Sequence, residues 1–270
     1  MSQYQLINFE KEGHVATLTF NRPEKLNAMN PDMEREMRAA VDDSQYDPQV
    51  RVLILTGQGR AFSTGEDVGV LDRWSHWRPQ ASSSQQTVLP LPMSSAPMPR
   101  YMVERVKKPV IAAINGVAAG AGYGLAMASD IRIGTPDARF AHIYLRRALV
   151  PSAEVWWLPR LIGLGPALYH VLMSDDMGAE EALRLGLLLK IVPAEELMTE
   201  AIAIASRIAE GPPVATMYAK MAMYNAMTTT FEEAMEFAGA ARQLAHPSGE
   251  FAEGTRSFLE KRKPIFDAGR

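Results

Sequence analysis

The chain has 270 residues, of which 47% are hydrophobic and 22% charged, with a net charge of −3 and no cysteine. This composition is ordinary for a globular protein with one large domain, or one domain and a small appendage. It excludes disulfides, thiol nucleophiles and cysteine-ligated metals, and it gives no reason to expect a nucleic-acid or anionic-membrane partner. No run reaches the roughly 20 apolar residues that span a bilayer, and no segment resembles a signal peptide, so we expect a cytoplasmic protein.

The N-terminal part is predicted to begin with two strands and a helix. Residues 4–10 and 14–20 have strand-like patterns on either side of a Glu-Gly turn. Asn30 is predicted to cap a helix that ends near residue 42, since apolar residues recur there at helical spacing. Residues 51–56 form a short apolar run, which is typical of a buried strand.

Residues 69–97 contain no predicted element. They include four prolines, a Ser/Gln-rich tract, Trp74 and Trp77. A segment this long is uncommon as a plain connection, so it is predicted to be a lid or a disordered insert.

The stretch from Pro109 to Asp130 predicts a strand, a glycine turn and a helix. An apolar run at 109–114 precedes Gly120, Gly122 and Gly124. Such a turn exposes backbone N–H groups at a helix N-terminus, where a phosphate or a developing oxyanion can bind. The alternative is that the glycines only allow the helix to pack closely on a sheet. The pattern lacks the spacing of a nucleotide fingerprint.

The C-terminal half is predicted to become increasingly helical. Predicted strands cover residues 131–134, 138–141 and 187–192. A loop at Pro151 leads into a predicted helix that ends near residue 161. Further helices are predicted at residues 166–173, 179–185, 194–210, 213–226, 231–244 and 250–261. This order predicts an α/β fold with a parallel sheet and a helical C-terminal region.

Five pieces of the sequence, in order, resemble the crotonase (enoyl-CoA hydratase/isomerase) superfamily. They are NRPEKLNAM at 21–29, RVLILTGQGRAFSTGEDV at 51–68, KKPVIAAINGVAAGAGYGLAMASDIRI at 107–133, ALRLGLL at 182–188 and FLEKRKPIF at 258–266. The resemblance implies an α/β fold with a ββα spiral over residues 1–195 and a helical trimerisation region over 196–270. It further implies a homotrimer or a dimer of trimers and an acyl-CoA substrate, with coenzyme A entering as part of the substrate and no separate cofactor or metal.

The resemblance also implies where the substrate binds. The thioester oxygen would lie between the backbone N–H groups of Glu66 and Ala121, which form an oxyanion hole. The implied acyl-CoA contacts are Lys25, Leu26, Ser63, Gly65, Asp67 and Gly120. Lys261 and Lys263 are further candidates for the coenzyme A phosphates, and Trp74 and Trp77 for the acyl pocket, with packing of the lid as the alternative for both tryptophans.

The sequence departs from the family at the acid/base positions. Hydratases of the family carry one glutamate where this chain has Gly124 and another where it has Tyr144, and some relatives carry an aspartate where it has Ser152. Addition of water by two glutamates therefore cannot be assigned. We predict an enzyme that stabilises a thioester enolate, an isomerase, decarboxylase or C–C lyase rather than a simple hydratase. A catalytically silent acyl-CoA binder or structural oligomer is the alternative.

Four side chains are candidates to replace the missing carboxylates. Glu154, in the sequence PSAEVWW, would have a raised pKa beside two tryptophans; otherwise it caps a helix or pairs with Arg160. Tyr144 is a hydrogen-bonding candidate or a packed aromatic, and His142 is a base or a satisfied histidine. The Glu66 side chain enters the pocket or pairs with Arg73 in solvent.

Overall fold

The computed structural model describes residues 4–69, Asp72 and residues 97–266. Residues 70, 71 and 73–96 lie outside the described part. The interpretation of residues 69–97 as a lid or a disordered insert therefore stays a prediction, as do the roles considered for Trp74, Trp77 and Arg73. The strands are β1 (Ile7–Glu12), β2 (Val15–Phe20), β3 (Val52–Gly57), β4 (Ala61–Ser63), β5 (Val110–Ile114), β6 (Val117–Ala119), β7 (Ile131–Gly134), β8 (Arg139–Ala141), β9 (Met177–Gly178) and β10 (Lys190–Ile191). The helices are α1 (Pro31–Tyr46), α2 (Met98–Arg105), α3 (Ala121–Ala128), α4 (Glu154–Ile162), α5 (Leu164–Met173), α6 (Ala179–Arg184), α7 (Leu197–Ala209), α8 (Pro213–Ala226), α9 (Phe231–Ala245) and α10 (Glu250–Leu259).

The main sheet has the strand order β1-β2-β3-β5-β7-β10, and all its neighbours are parallel except the antiparallel pair β1-β2. Its central strands are buried on both faces, which explains their continuous apolar sequences. Ile54 and Ile111 pack with Ala201 of α7 on one face. Leu55 and Ile114 face the other core, which holds the fully buried Tyr123. The predicted parallel sheet is confirmed.

A smaller sheet, with the order β4-β6-β8-β9, lies beside it. Within the described residues, β5, β6 and α3 form one ββα unit, whose first strand joins the main sheet and whose second joins the small one. The ββα arrangement expected from the resemblance is thus confirmed. The sequence prediction missed β6, because three residues without alternation become a strand only through pairing with β4 and β8.

Several predicted boundaries need correction, among them the first strand, which covers Ile7–Glu12 rather than residues 4–10. Helix α1 continues to Tyr46 rather than ending near residue 42, while its predicted cap is confirmed: Asn30 accepts a hydrogen bond from the Met33 amide. The predicted strand at 187–192 shortens to β10, because the amides of Leu187 and Leu188 both donate to the Ala182 carbonyl and continue the turn after α6. None of the described helices has the length and apolar character needed to cross a bilayer.

The C-terminal helices leave large apolar side chains in solvent, among them Met223, Phe231, Phe251 and Phe258. Closed symmetric assembly is the usual way to bury such surface. We therefore expect a closed oligomer in solution, which the family resemblance specifies as a homotrimer or a dimer of trimers, measured by multi-angle light scattering. A single 29.8 kDa species at micromolar concentration would refute this expectation.

Candidate active site

Two glycine turns meet at the ends of β4 and β6. The two strands are paired in parallel, so both chains leave the small sheet in the same direction. Gly65 and Gly120 have φ angles of 85° and 50°, in the left-handed region that favours glycine. A Cβ atom on Gly65 would lie only 2.9 Å from the Ala121 nitrogen. The glycines therefore allow the two turns to touch.

Two backbone N–H groups beside this contact have no acceptor among the described residues. Glu66 lies opposite Met29, whose N–H donates to the Gly65 carbonyl at 2.7 Å and whose carbonyl accepts from the Asp67 amide at 2.8 Å. In parallel pairing, the residue between two such bonds points its own N–H to the other side. Ala121 is the first residue of α3, where helical amides have no intrahelical partner. Neither the Glu66 nor the Ala121 amide donates a hydrogen bond to any described residue.

The loop before α1 forms hydrogen bonds and an ion pair with the glycine turn that contains Gly65. Ser63 Oγ donates to the Asn27 carbonyl at 2.8 Å and accepts from the Gly65 amide at 3.2 Å. Asp67 accepts from the Gly69 amide at 3.0 Å and forms an ion pair with Arg22 at 3.1 Å. Ser63 and Asp67 therefore hold the turn in place.

The other predicted acyl-CoA contacts divide into two groups. Lys25 is exposed and Leu26 half-buried in the loop beside the turn, with the Leu26 carbonyl accepting from the Thr64 amide at 3.1 Å. Lys263 instead lines a cleft with His14 and Arg51, at the amino ends of β2 and β3. Within one chain, the structure brings Lys25 but not Lys263 next to the turns.

Gly124 is closely covered by neighbouring elements. A Cβ atom there would lie 2.8 Å from Pro99 Cγ and 3.1 Å from Ala153 Cβ. Pro99 belongs to α2, and Ala153 immediately precedes α4. According to the resemblance, the family's hydratases have a glutamate at this position; here Pro99 would have to shift to admit any side chain at residue 124.

Glu154 is a buried carboxyl group without a partner. Its side chain is 1% exposed, and neither carboxyl oxygen forms a hydrogen bond with any described residue. Burial raises its pKa from 4.5 to about 7; the backbone N–H groups of Ser152 and of Glu154 itself oppose the shift but lie outside good hydrogen-bonding geometry. Pairing with Arg160 is not found, because that guanidinium stacks on the Trp156 ring at 4.3 Å and donates to the Trp156 carbonyl.

Tyr144 lies in the same neighbourhood. Its hydroxyl is 3.4 Å from Ser152 Oγ. Burial raises its pKa to about 12, and the charges of Glu154 and Glu66 contribute to the shift. The Tyr144 hydroxyl therefore lies beside Ser152, two residues before Glu154, and it is neutral at physiological pH.

His142 belongs to a different group of residues. It is 4% exposed and stacks on His170 with ring centroids 5.8 Å apart. Burial lowers its pKa to about 4, and the charges that act on it are those of His170, Asp176 and Arg146. The structure thus places this candidate base beside His170.

Sequence reasoning overlooked two residues near the site. Glu34 lies in the first turn of α1, where acidic residues are common, and its charge raises the pKa of Glu66 further after burial. Pro99, which covers Gly124, is 25 positions away in the sequence. Only the folded chain reveals either contact.

Comparison with known proteins identifies the class of fold. The structure of subunit I of an enoyl-CoA hydratase from Geobacillus kaustophilus aligns with a TM-score of 0.86 and 32% identity, covering 99% of this chain and 100% of that chain. The fold is therefore that of the crotonase superfamily.

Sequence comparisons place the chain within that class. The family model for enoyl-CoA hydratase/isomerase matches residues 10–269. A crotonyl-CoA hydratase of Syntrophomonas wolfei is 36% identical, covering 97% of this chain and 98% of that one. A 1,2-epoxyphenylacetyl-CoA isomerase of Escherichia coli is 33% identical, covering 98% and 99%. The chain belongs to the enoyl-CoA hydratase/isomerase family, whose members are acyl-CoA enzymes.

Proposed function

We propose that this chain forms and stabilises the enolate of an acyl-CoA thioester. The observation that carries the proposal is the buried carboxyl group of Glu154, which has no hydrogen-bond partner among the described residues. The amides of Glu66 and Ala121, in the two touching turns, have no acceptor among these residues either. A buried carboxyl group without a partner and backbone donors without acceptors are both typical of a functional site.

The backbone of the two turns would hold the thioester oxygen. Removal of a proton from Cα moves negative charge to that oxygen, and the N–H groups of Glu66 and Ala121 would bind it. Preorganised donors of this kind usually make the largest single contribution to such a reaction. The side chain of residue 121 does not matter for this contact, because alanine keeps the amide.

Glu154 would move the proton. With a pKa of about 7, it is ionised in about half of the molecules at neutral pH, so it can both accept a proton and return it. The hydroxyl of Tyr144 would remain protonated and act as a hydrogen-bond donor, since its pKa is about 12.

These groups favour isomerisation, decarboxylation or C–C cleavage over hydration. Addition of water needs one group that activates the water and another that supplies the α-proton. Gly124 has no side chain for either task, and Pro99 fills the space around it. The related proteins named above include both a hydratase and an isomerase.

A comparison of two substrates tests this proposal. We expect hydration of crotonyl-CoA to be slower than isomerisation of vinylacetyl-CoA to crotonyl-CoA by about 10²-fold or more, because one of two proton-transfer groups is missing for hydration. The assay follows absorbance of the conjugated thioester. Rapid hydration of crotonyl-CoA would contradict the proposal.

The same assay, combined with calorimetry, distinguishes the proposal from the alternative of a silent acyl-CoA binder. Both free amides and the unpaired Glu154 disfavour that alternative, since a binder has no need of a buried carboxyl group that destabilises the fold. Binding of both thioesters in calorimetry, without turnover of either, would favour it.

A further inference from the structure

Asn27 is fully buried in the loop before α1, next to the glycine turn that contains Gly65. Its φ angle of 56° lies in the left-handed region, which asparagine tolerates better than most residues. Its Nδ2 group donates to the carbonyls of Gln58 at 3.0 Å and Ala61 at 2.7 Å. Its Oδ1 atom accepts from the Arg22 amide at 2.9 Å. Both polar atoms of the side chain are thus bonded to the main chain.

The main chain of Asn27 extends this network to the glycine turn. Its carbonyl accepts from Ser63 Oγ, which itself accepts from the Gly65 amide. Ser63 is fully buried, and a Cβ atom on Gly122 would lie 2.3 Å from the Ser63 carbonyl oxygen and 2.7 Å from Ser63 Cβ. Gly122 is the second residue of α3. Ser63 therefore contacts the glycine turn and the start of α3 at the same time.

The strands β4 and β6 are too short to specify their own register firmly. Each has three residues, and the ladder between them is irregular at Phe62, since Ala61 lies opposite Val117 but Ser63 lies opposite Ala118. An extra residue of this kind changes the phase of one strand relative to the other. A slip by one residue would move a strand by about 3.3 Å, whereas a functional site tolerates a displacement of about 0.5 Å. The register therefore needs support from outside the two strands.

Asn115 connects the second strand to the same point. It lies between β5 and β6, and its Nδ2 group donates to the carbonyls of Gly59 at 2.8 Å and Ala61 at 3.2 Å. Its Oδ1 atom accepts from the Gly57 amide at 3.3 Å. The Ala61 carbonyl thus accepts from both asparagines, which ties the beginnings of β4 and β6 to each other and to the loop that holds Ser63.

We propose that Asn27 and Asn115 are positioning residues of the candidate active site. Their side chains fix the register of β4 against β6, and this register sets the separation of the Glu66 and Ala121 amides. The inference rests on the proposed function, because it concerns how the two donors to the thioester oxygen are held. Neither asparagine takes part in the proton transfer.

The test is Asn27→Ala, and Asn115→Ala, at a half-buried position, decides the question if the first variant does not fold. With vinylacetyl-CoA, we expect each folded variant to lower kcat by about 10–10²-fold and to change KM by less than about threefold. The reason is that misplaced donors weaken binding of the transition state more than binding of the substrate.

Infrared spectroscopy of bound butyryl-CoA, labelled with ¹³C at its carbonyl carbon, distinguishes a positioning role from a merely structural one. Hydrogen bonds from the two amides polarise the thioester carbonyl and lower its stretching frequency. We expect a smaller lowering in the asparagine variants than in the wild type. Partial unfolding would instead reduce the intensity of the shifted band without a change in its position.

Thr56→Val is the matched control. The Thr56 side chain is also buried, and its hydroxyl donates to the Ala113 carbonyl at 2.9 Å, which joins β3 to β5. We expect this variant to lose stability but to keep the kcat and the carbonyl frequency of the wild type.

Two results would overturn the inference. One is a wild-type kcat and carbonyl frequency in either folded asparagine variant, and the other is a loss of kcat at an unchanged frequency. A different result refutes the proposed oxyanion hole itself, namely butyryl-CoA bound to the wild-type protein with the carbonyl frequency that it has in water.

Discussion

Replacement of Glu154 by glutamine is expected to lower turnover by about 10²–10⁴-fold and, at alkaline pH, to make the protein more stable relative to the wild type. The activity is lost because the amide cannot accept a proton. The stability effect arises because the wild-type chain buries a carboxylate that has no partner among the described residues.

The pH dependence of this effect has a definite sign. The folded-state pKa of Glu154, about 7, is above the ordinary value of 4.5. The contribution of Glu154 to stability is therefore fully present below about pH 4.5 and is lost as the pH rises through about 7. A shift of this size corresponds to about 3 kcal/mol. The glutamine variant does not ionise, so its advantage should grow by about that amount between about pH 4 and pH 8.

Urea unfolding at several pH values, together with kcat, measures both effects. Glu24→Gln, at an exposed position, is the control and should change neither. A difference in unfolding free energy between Glu154→Gln and the wild type that does not vary with pH would show that Glu154 is not held in a desolvated site. Unchanged turnover would remove it from the mechanism.

Replacement of Ala121 by proline is expected to lower kcat by about 10²–10³-fold, the usual effect of the loss of one oxyanion donor. Proline is tolerated at the first position of a helix, where Ala121 lies. Its ring lacks the N–H group and would also press against Gly65, which already lies close to this nitrogen. Ala121→Gly keeps the amide and is expected to stay within about tenfold of wild-type activity.

Steady-state kinetics with vinylacetyl-CoA, together with a thermal melt of each variant, distinguish the loss of a donor from loss of the fold. Ala121→Pro that remains folded and turns over at the wild-type rate would contradict the assignment of this amide. Equal losses in the proline and glycine variants would indicate that the turn, rather than the N–H group, matters.

Much of the fold was predictable because it depends on local pattern. The apolar runs at β3 and β5 are buried on both faces of the sheet, and Asn30 caps α1 as its sequence indicates. β6 was not predictable, because its three residues form a strand only between β4 and β8. Sequence periodicity carries no information about such a partner.

The candidate site was predictable only in part, because the local pattern shows its turns but not the contacts between them. The two glycine turns are visible in the sequence, but their contact depends on the parallel pairing of β4 with β6. The isolation of Glu154 depends on Arg160, which stacks on Trp156 instead of pairing with the carboxylate. The sequence alone did not decide whether Glu154 is isolated or pairs with Arg160.

A crystal structure with butyryl-CoA bound tests the central claim most directly. The account predicts that the thioester oxygen lies about 2.7–3.1 Å from both the Glu66 and the Ala121 nitrogen, the range expected for oxyanion donors. It also predicts that Cα of the acyl group faces Glu154. A thioester oxygen bound away from both amides, or an acyl group with Cα turned away from Glu154, would contradict the account.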